Sequence, residues 1–169
     1  MSRAFVKEDA GGEDVLVAAR PPLPEGSPNL VTQAGFDLLE SEFADLQAKR
    51  QRESQEEDSP QRTRNLVALD AQIEETRERL ASAKLTPPPS ALNKVVFGTV
   101  VVARVQNGKF AGEERRVHIV GVDEAHTSDD KVAFSAPLAK ALLGATLGEE
   151  VSLTIAGKPQ ILKVLSIEV

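Results

Sequence analysis

From Thr32 to Leu85, apolar residues return every three or four positions and leave the remaining faces polar. Phe36, Leu39, Phe43 and Leu46 form one such seam; Leu66, Leu69, Ile73 and Leu80 form a second, with Thr76 and Ala83 at the intervening positions. That spacing predicts two amphipathic helices, each with a single narrow apolar stripe. Thr32 is placed to cap the first, and Ser59 to cap the second with Pro60 in its first turn. Joined by a short polar turn, the two stripes face each other in an antiparallel, coiled-coil hairpin. Its first arm, counted from Thr32 to Asp58, spans at most about 40 Å at ~1.5 Å per residue. One stripe per helix describes a protruding rod rather than a buried bundle.

The period changes at Val95. "VVFGTVVVARV", "RRVHIVGV", "KVAFS", "EVSLTIA" and "QILKVLSIEV" read as strands, separated by turn residues at Asn107-Gly108 and Gly157-Lys158. Between the third and fourth lies "APLAKALLG", a short helix opened by Pro137 and stopped by Gly144. The expected fold class is α+β: a helical hairpin, then an antiparallel sheet with one short helix. The expected division is 1–30, extended and rich in proline (Pro21, Pro22, Pro24, Pro28), then a hairpin over 31–86 with its tip near 53–60, then the sheet domain over 87–169. In the first segment "RAFVKE" alternates like an edge strand that could add to another domain, but it reads rather as loose chain.

Composition narrows the function classes. A net charge of −6 argues against a general nucleic-acid binder. With no cysteine there is no disulfide, thiolate metal site or cysteine nucleophile. Neither a signal-peptide core nor a membrane-length apolar run is present, so a cytoplasmic location is expected.

Catalytic chemistry is sparse. His118 alternates with Val117 and Ile119 and reads as a sheet-face residue, while His126 sits in the polar "EAHTSDD" loop without an evident partner. Zinc-protease, nucleophile-elbow and P-loop motifs are lacking. What stands out is the tip. Glu53, Glu56, Glu57 and Asp58 crowd between the helices, flanked by a basic collar of Lys49, Arg50, Arg52, Arg62 and Arg64. Cations suit the end of the first helix, and acids suit the start of the second. Arg62 and Arg64 run against that dipole, which leaves pairing with the tip acids or contact with RNA as their roles.

"VTQAGFDLLESEF", "KVVFGTVV", "HIVGVDEA" and "APLAKALLGATLGEEV", in this order, resemble the GreA/GreB family of bacterial transcription elongation factors, and "SRAFVKE" resembles an extension of GreB-like members. The resemblance implies a coiled-coil hairpin followed by an FKBP-like domain. It implies that the globular domain docks on RNA polymerase and that the hairpin enters the secondary channel. There, two acids of the family's tip help hold a catalytic magnesium, so that the polymerase cleaves its own backtracked RNA. By the same resemblance, docking would run through the loop entering the short helix. The family reads Asp-Ser-Pro there, and this chain has Ser135, Ala136 and Pro137. Asp123, Glu124, Asp129 and Asp130 are further candidates for meeting a basic partner surface.

The tip departs from the family pattern G-D-x-x-E-N-A-E-Y, supplying acids without the Gly, Asn or Tyr. Against that pattern each arm is roughly eight residues shorter, about 12 Å of reach. The short hairpin resembles that of the relative Rnk. Magnesium ligation needs oxygen at about 2.1 Å. The expectation is therefore a non-enzymatic factor, holding no metal or cofactor of its own, that binds bacterial RNA polymerase and modulates elongation without stimulating cleavage. The alternatives are a cleavage factor with a rearranged tip, a prolyl isomerase on the FKBP-like fold, and a coiled-coil adaptor. The last 80 or so residues offer an isomerase pocket only Phe97, Phe110 and Phe134, without Trp or Tyr.

Overall fold

A computed structural model of the chain describes residues 20–126, 128 and 130–169. The alternating "RAFVKE" and Asp129 lie outside them. The described chain enters through β1 (Asn29–Val31), runs out along α1 (Gln33–Glu53), turns, and returns through α2 (Pro60–Ser82) into β2 (Ala83–Leu85). Both expected caps form. The Thr32 hydroxyl accepts the Gly35 N–H at 3.0 Å and that of Ser59 accepts the Arg62 N–H at 3.1 Å, each satisfying a donor the helix leaves free.

The seams meet as their spacing requires. Leu39, Leu46, Ile73 and Thr76 are buried between the arms, while Phe36, Phe43, Leu66, Leu69 and Leu80 are half-buried, because a two-helix rod covers only one stripe of each helix. The second seam ends sooner than expected. α2 stops at Ser82, and Ala83 opens β2, which pairs in parallel with β1 (Asn29↔Ala83, Val31↔Leu85). Buried Asn29 caps this end, its Nδ2 donating to Arg79 O at 3.1 Å in the last turn of α2.

The second unit comprises β3 (Val100–Val105), β4 (Glu114–Val120), β5 (Lys131–Ala133), α3 (Pro137–Leu142), β6 (Glu150–Ile155) and β7 (Lys158–Glu168), ordered β5-β4-β3-β7-β6 in one sheet. The fold is α+β as expected, with one correction to the sheet. β5 runs parallel to β4, because the chain crosses over through a 3-10 turn (Glu124–His126) instead of doubling back. The core lies on one face of the sheet. There Val101, Val105, Ile119, Leu162 and Val164 pack under Ala139 and Leu142 of α3.

Pro137 opens α3 and Gly144, at φ +88°, lets the chain leave it. The β6–β7 turn sits one residue earlier than Gly157-Lys158. Ala156 and Gly157 both take positive φ (48° and 76°), the conformation of a tight two-residue hairpin whose twist matches its strands. Among the described residues no helix is long and apolar enough to cross a membrane.

Candidate functional site

At the tip, residues 54–59 turn the chain from α1 to α2. The helix dipole makes the last carbonyls of α1 electron-rich. Arg62, one turn into α2, reaches back to them: Nε donates to Glu53 O at 3.2 Å and Nη2 to Ser54 O at 2.9 Å. Its Nη1 pairs with Asp58 at 3.1 Å. Arg62, ill-placed by the dipole of its own helix, is thus well placed by that of its neighbour. Glu53 is tied as well, accepting from Asn65 Nδ2 at 2.9 Å. Among the described residues the exposed carboxylates of Glu56 and Glu57 have no hydrogen-bond or ion-pair partner.

The collar divides by role. Arg50 bridges the arms to Asp70, with a second contact at 3.3 Å. The hydrogen bond from Arg50 holds the Asp70 carboxyl below the ordinary aspartate range, and Asp70 raises Arg50 in return. Arg64 donates to Gln61 at 2.7 Å on the outer face. Lys49 and Arg52 rim an open groove between the arms, together with Glu53, Glu56 and Asn65 over Leu69. Among the described residues no cluster of His, Cys, Asp and Glu is grouped to hold a metal ion.

Asp123 and Glu124 occupy a different place. They lie in the joint between arm and sheet unit, turned inward. Glu124 is 2% exposed, accepts from the Thr32 hydroxyl and from Lys131 Nζ at 2.9 Å, and sits so close to Gly35 that a Cβ there would lie 2.7 Å from its Oε2. Asp123 accepts from Arg20 Nη1 at 2.7 Å and stands 3.7 Å from Arg79 Nη1. Arg20 continues to Glu42 on α1 and, at 3.0 Å, to Thr76 Oγ1 on α2. Burial works against the charge of Arg20, but its bond to Asp123 and the attraction of Glu42 outweigh it and raise its pKa.

Sequence reasoning missed Arg20 and Thr76. One signal was available: a threonine within an otherwise apolar seam. Its hydroxyl donates to Gln72 O at 2.8 Å and is thereby oriented to accept from Arg20.

The loop entering α3 is exposed at Pro137 and half-exposed at Ser135 and Ala136; Ala136 occupies the N-cap position without a side-chain acceptor. Asp130 is held by the Ser128 hydroxyl, which lowers its pKa, and lies 3.9 Å from Arg116. His118 is half-buried on β4 and His126 is exposed.

With this geometry in hand, comparison with known proteins gives a consistent result. The family model described as transcription elongation factor, GreA/GreB, C-term matches residues 89–169. The chain is 31% identical over 147 residues to transcription elongation factor GreB of Pseudomonas aeruginosa, covering 78% of this chain and 84% of that one. It is 29% identical over 156 residues to GreB of Neisseria meningitidis serogroup B, covering 83% and 93%. A solved GreA/GreB structure from Nitrosomonas europaea aligns with 19% identity and a TM-score of 0.41, over 85% of this chain and 99% of that one. The chain belongs to the GreA/GreB family of transcription elongation factors.

Proposed function

We propose that this chain binds bacterial RNA polymerase in the cytoplasm near the secondary channel, docks through its sheet unit, and modulates elongation without stimulating transcript cleavage. Family membership supports the polymerase as partner. The observation that carries the absence of cleavage is the size of the arm. α1 has 21 residues, so it reaches only about 32 Å at ~1.5 Å per residue. Magnesium ligation tolerates errors of tenths of an ångström around about 2.1 Å, and by the resemblance to the family pattern such an arm is expected to fall about 12 Å short. Two of the four tip acids, Glu53 and Asp58, are moreover tied to Asn65 and Arg62. A tip stalled in the channel would still act as an occluder, and its carboxylates would influence charges within the screening length of about 8 Å.

The unpaired Glu56 and Glu57 favour one rival reading, a cleavage factor with a rearranged tip. A backtracked elongation complex with magnesium separates the two. The expected result is no RNA shortening by this protein alone and slower cleavage when it competes with a true Gre factor. Shortening by the protein alone, abolished by Glu56→Ala or Glu57→Ala, would establish the rival. A pull-down that fails to enrich polymerase would instead favour an adaptor for another partner.

A further inference from the structure

We propose that Arg20 is a latch that fixes the angle between the helical arm and the sheet unit, and that releasing it frees the arm to tilt. The joint has a pivot at its base. There Thr32 and Gly35 close on Glu124, and Gly121 packs so tightly under β1 that a Cβ would lie 2.7 Å from the Leu30 carbonyl oxygen. Arg20 ties the units together away from that pivot. Glu42 stands ten residues along α1 from Thr32, about 15 Å up the arm. From one guanidinium, Nη1 holds Asp123 of the sheet unit while Nη2 holds Glu42 of α1 and Thr76 of α2. A tie displaced from a pivot resists tilting where the pivot alone does not.

Units of one chain move relative to one another by default unless the interface that joins them is large and hydrophobic. On the adjoining face of α1 an open cleft lined by Ala34, Asp37, Leu38, Ser128 and Lys131 gives the arm room. Without Arg20, Glu42 and Asp123 would each lose its partner, leaving at this point the buried Oδ2 of Asp123 and Nη1 of Arg79, which lack hydrogen-bond partners at their 3.7 Å separation. A buried charge left half-paired drives rearrangement toward a partner or toward water. The residue that holds the angle thus lies in the segment before the hairpin, outside both units it connects.

The chain has no cysteine of its own, so two can be introduced cleanly. With donor and acceptor dyes on Glu57→Cys at the tip and Lys158→Cys in the sheet unit, single-molecule energy transfer reads the angle. The full chain is expected to give one narrow distribution. Arg20→Ala is expected to add a second population or at least double the width, with Glu42→Gln in between. A distribution for Arg20→Ala that matches the unsubstituted chain overturns the latch. If Arg20→Ala fails to fold by circular dichroism, Arg20→Lys and Glu42→Gln decide. Lysine cannot hold the three partners from one planar group, so broadening in either supports the latch and wild-type distributions in both overturn it. The measurement needs no polymerase, so its failure and that of the proposed polymerase binding are distinguishable.

Discussion

Arg62 Nη2 donates to Ser54 O at 2.9 Å, so a residue in the first turn of one helix terminates the other. The contact joins the two arms where the apolar seam has already ended. Hydrogen bonds from a charged group are worth about 1.5–3 kcal/mol when sheltered, and Arg62 retains a quarter of its side-chain exposure, so Arg62→Ala is expected to cost about 1–2 kcal/mol in urea unfolding. Asp58→Asn, at a side chain 90% exposed, is expected to cost under about 0.5 kcal/mol. Equal losses would show that the ion pair, not the carbonyl capping, closes the tip.

Phe43 faces α2 with Arg77 6.0 Å above its ring, while Gln47 is exposed. Phe43→Ala is expected to cost about 2–3 kcal/mol, below the full-core value because the ring is only half-buried. Gln47→Ala should stay within about 0.5 kcal/mol. Thermal unfolding of the two variants checks the seam register directly, since a one-residue slip would reverse their order.

Close approach at the joint can be tested through its two glycines. A Cβ on Gly35 or Gly121 would sit 2.7 Å from a neighbouring oxygen, in one case a side-chain carboxylate and in the other a strand carbonyl. Overpacking costs about 1–3 kcal/mol. Gly121→Ala is expected to lie at the upper end, because the Leu30 carbonyl belongs to β1 and cannot swing aside. Gly35→Ala should cost less, with Glu124 giving way. Denaturant midpoints for the two variants report the order, and a reversed order would mean that β1 shifts more easily than the buried carboxylate.

The Arg50–Asp70 bridge gives a pH signature. Hydrogen bonding to Arg50 depresses the folded-state pKa of Asp70. Its contribution is therefore complete above the unfolded value of about 3.9 and disappears as pH falls through the lower folded value. Asp70→Asn is expected to be slightly less stable than the unsubstituted chain at pH 7 and to converge with it near pH 2. Melting curves across that window should show the gap closing downward; a gap independent of pH would place the effect of the substitution elsewhere.

The features legible in the sequence were those written in periodicity and punctuation. Leu39, Leu46 and Ile73 announced the hairpin by spacing, and Thr32, Ser59, Pro60, Pro137 and Gly144 marked where helices begin and end. The features that were not legible depend on residues far apart in the chain. β1 and β2 are three residues each and pair across the whole hairpin, too short for alternation to register. Asp123 and Glu124 looked like surface acids because only the folded joint brings Arg20, 103 residues from Asp123, within reach. Arg62 looked misplaced because the dipole it serves belongs to the other helix.

The parallel pairing of β1 with β2 has an evolutionary corollary. The arm leaves and re-enters the molecule through one small clasp of backbone, so the part of it beyond the Arg20 contacts to Glu42 and Thr76 behaves as a cassette. Deleting or duplicating one seven-residue repeat in each arm would keep the stripes in phase and move the tip by about 10 Å, without disturbing a contact at the base. Reach is therefore a quantity that a lineage can dial in discrete steps while the rest of the protein is inherited unchanged.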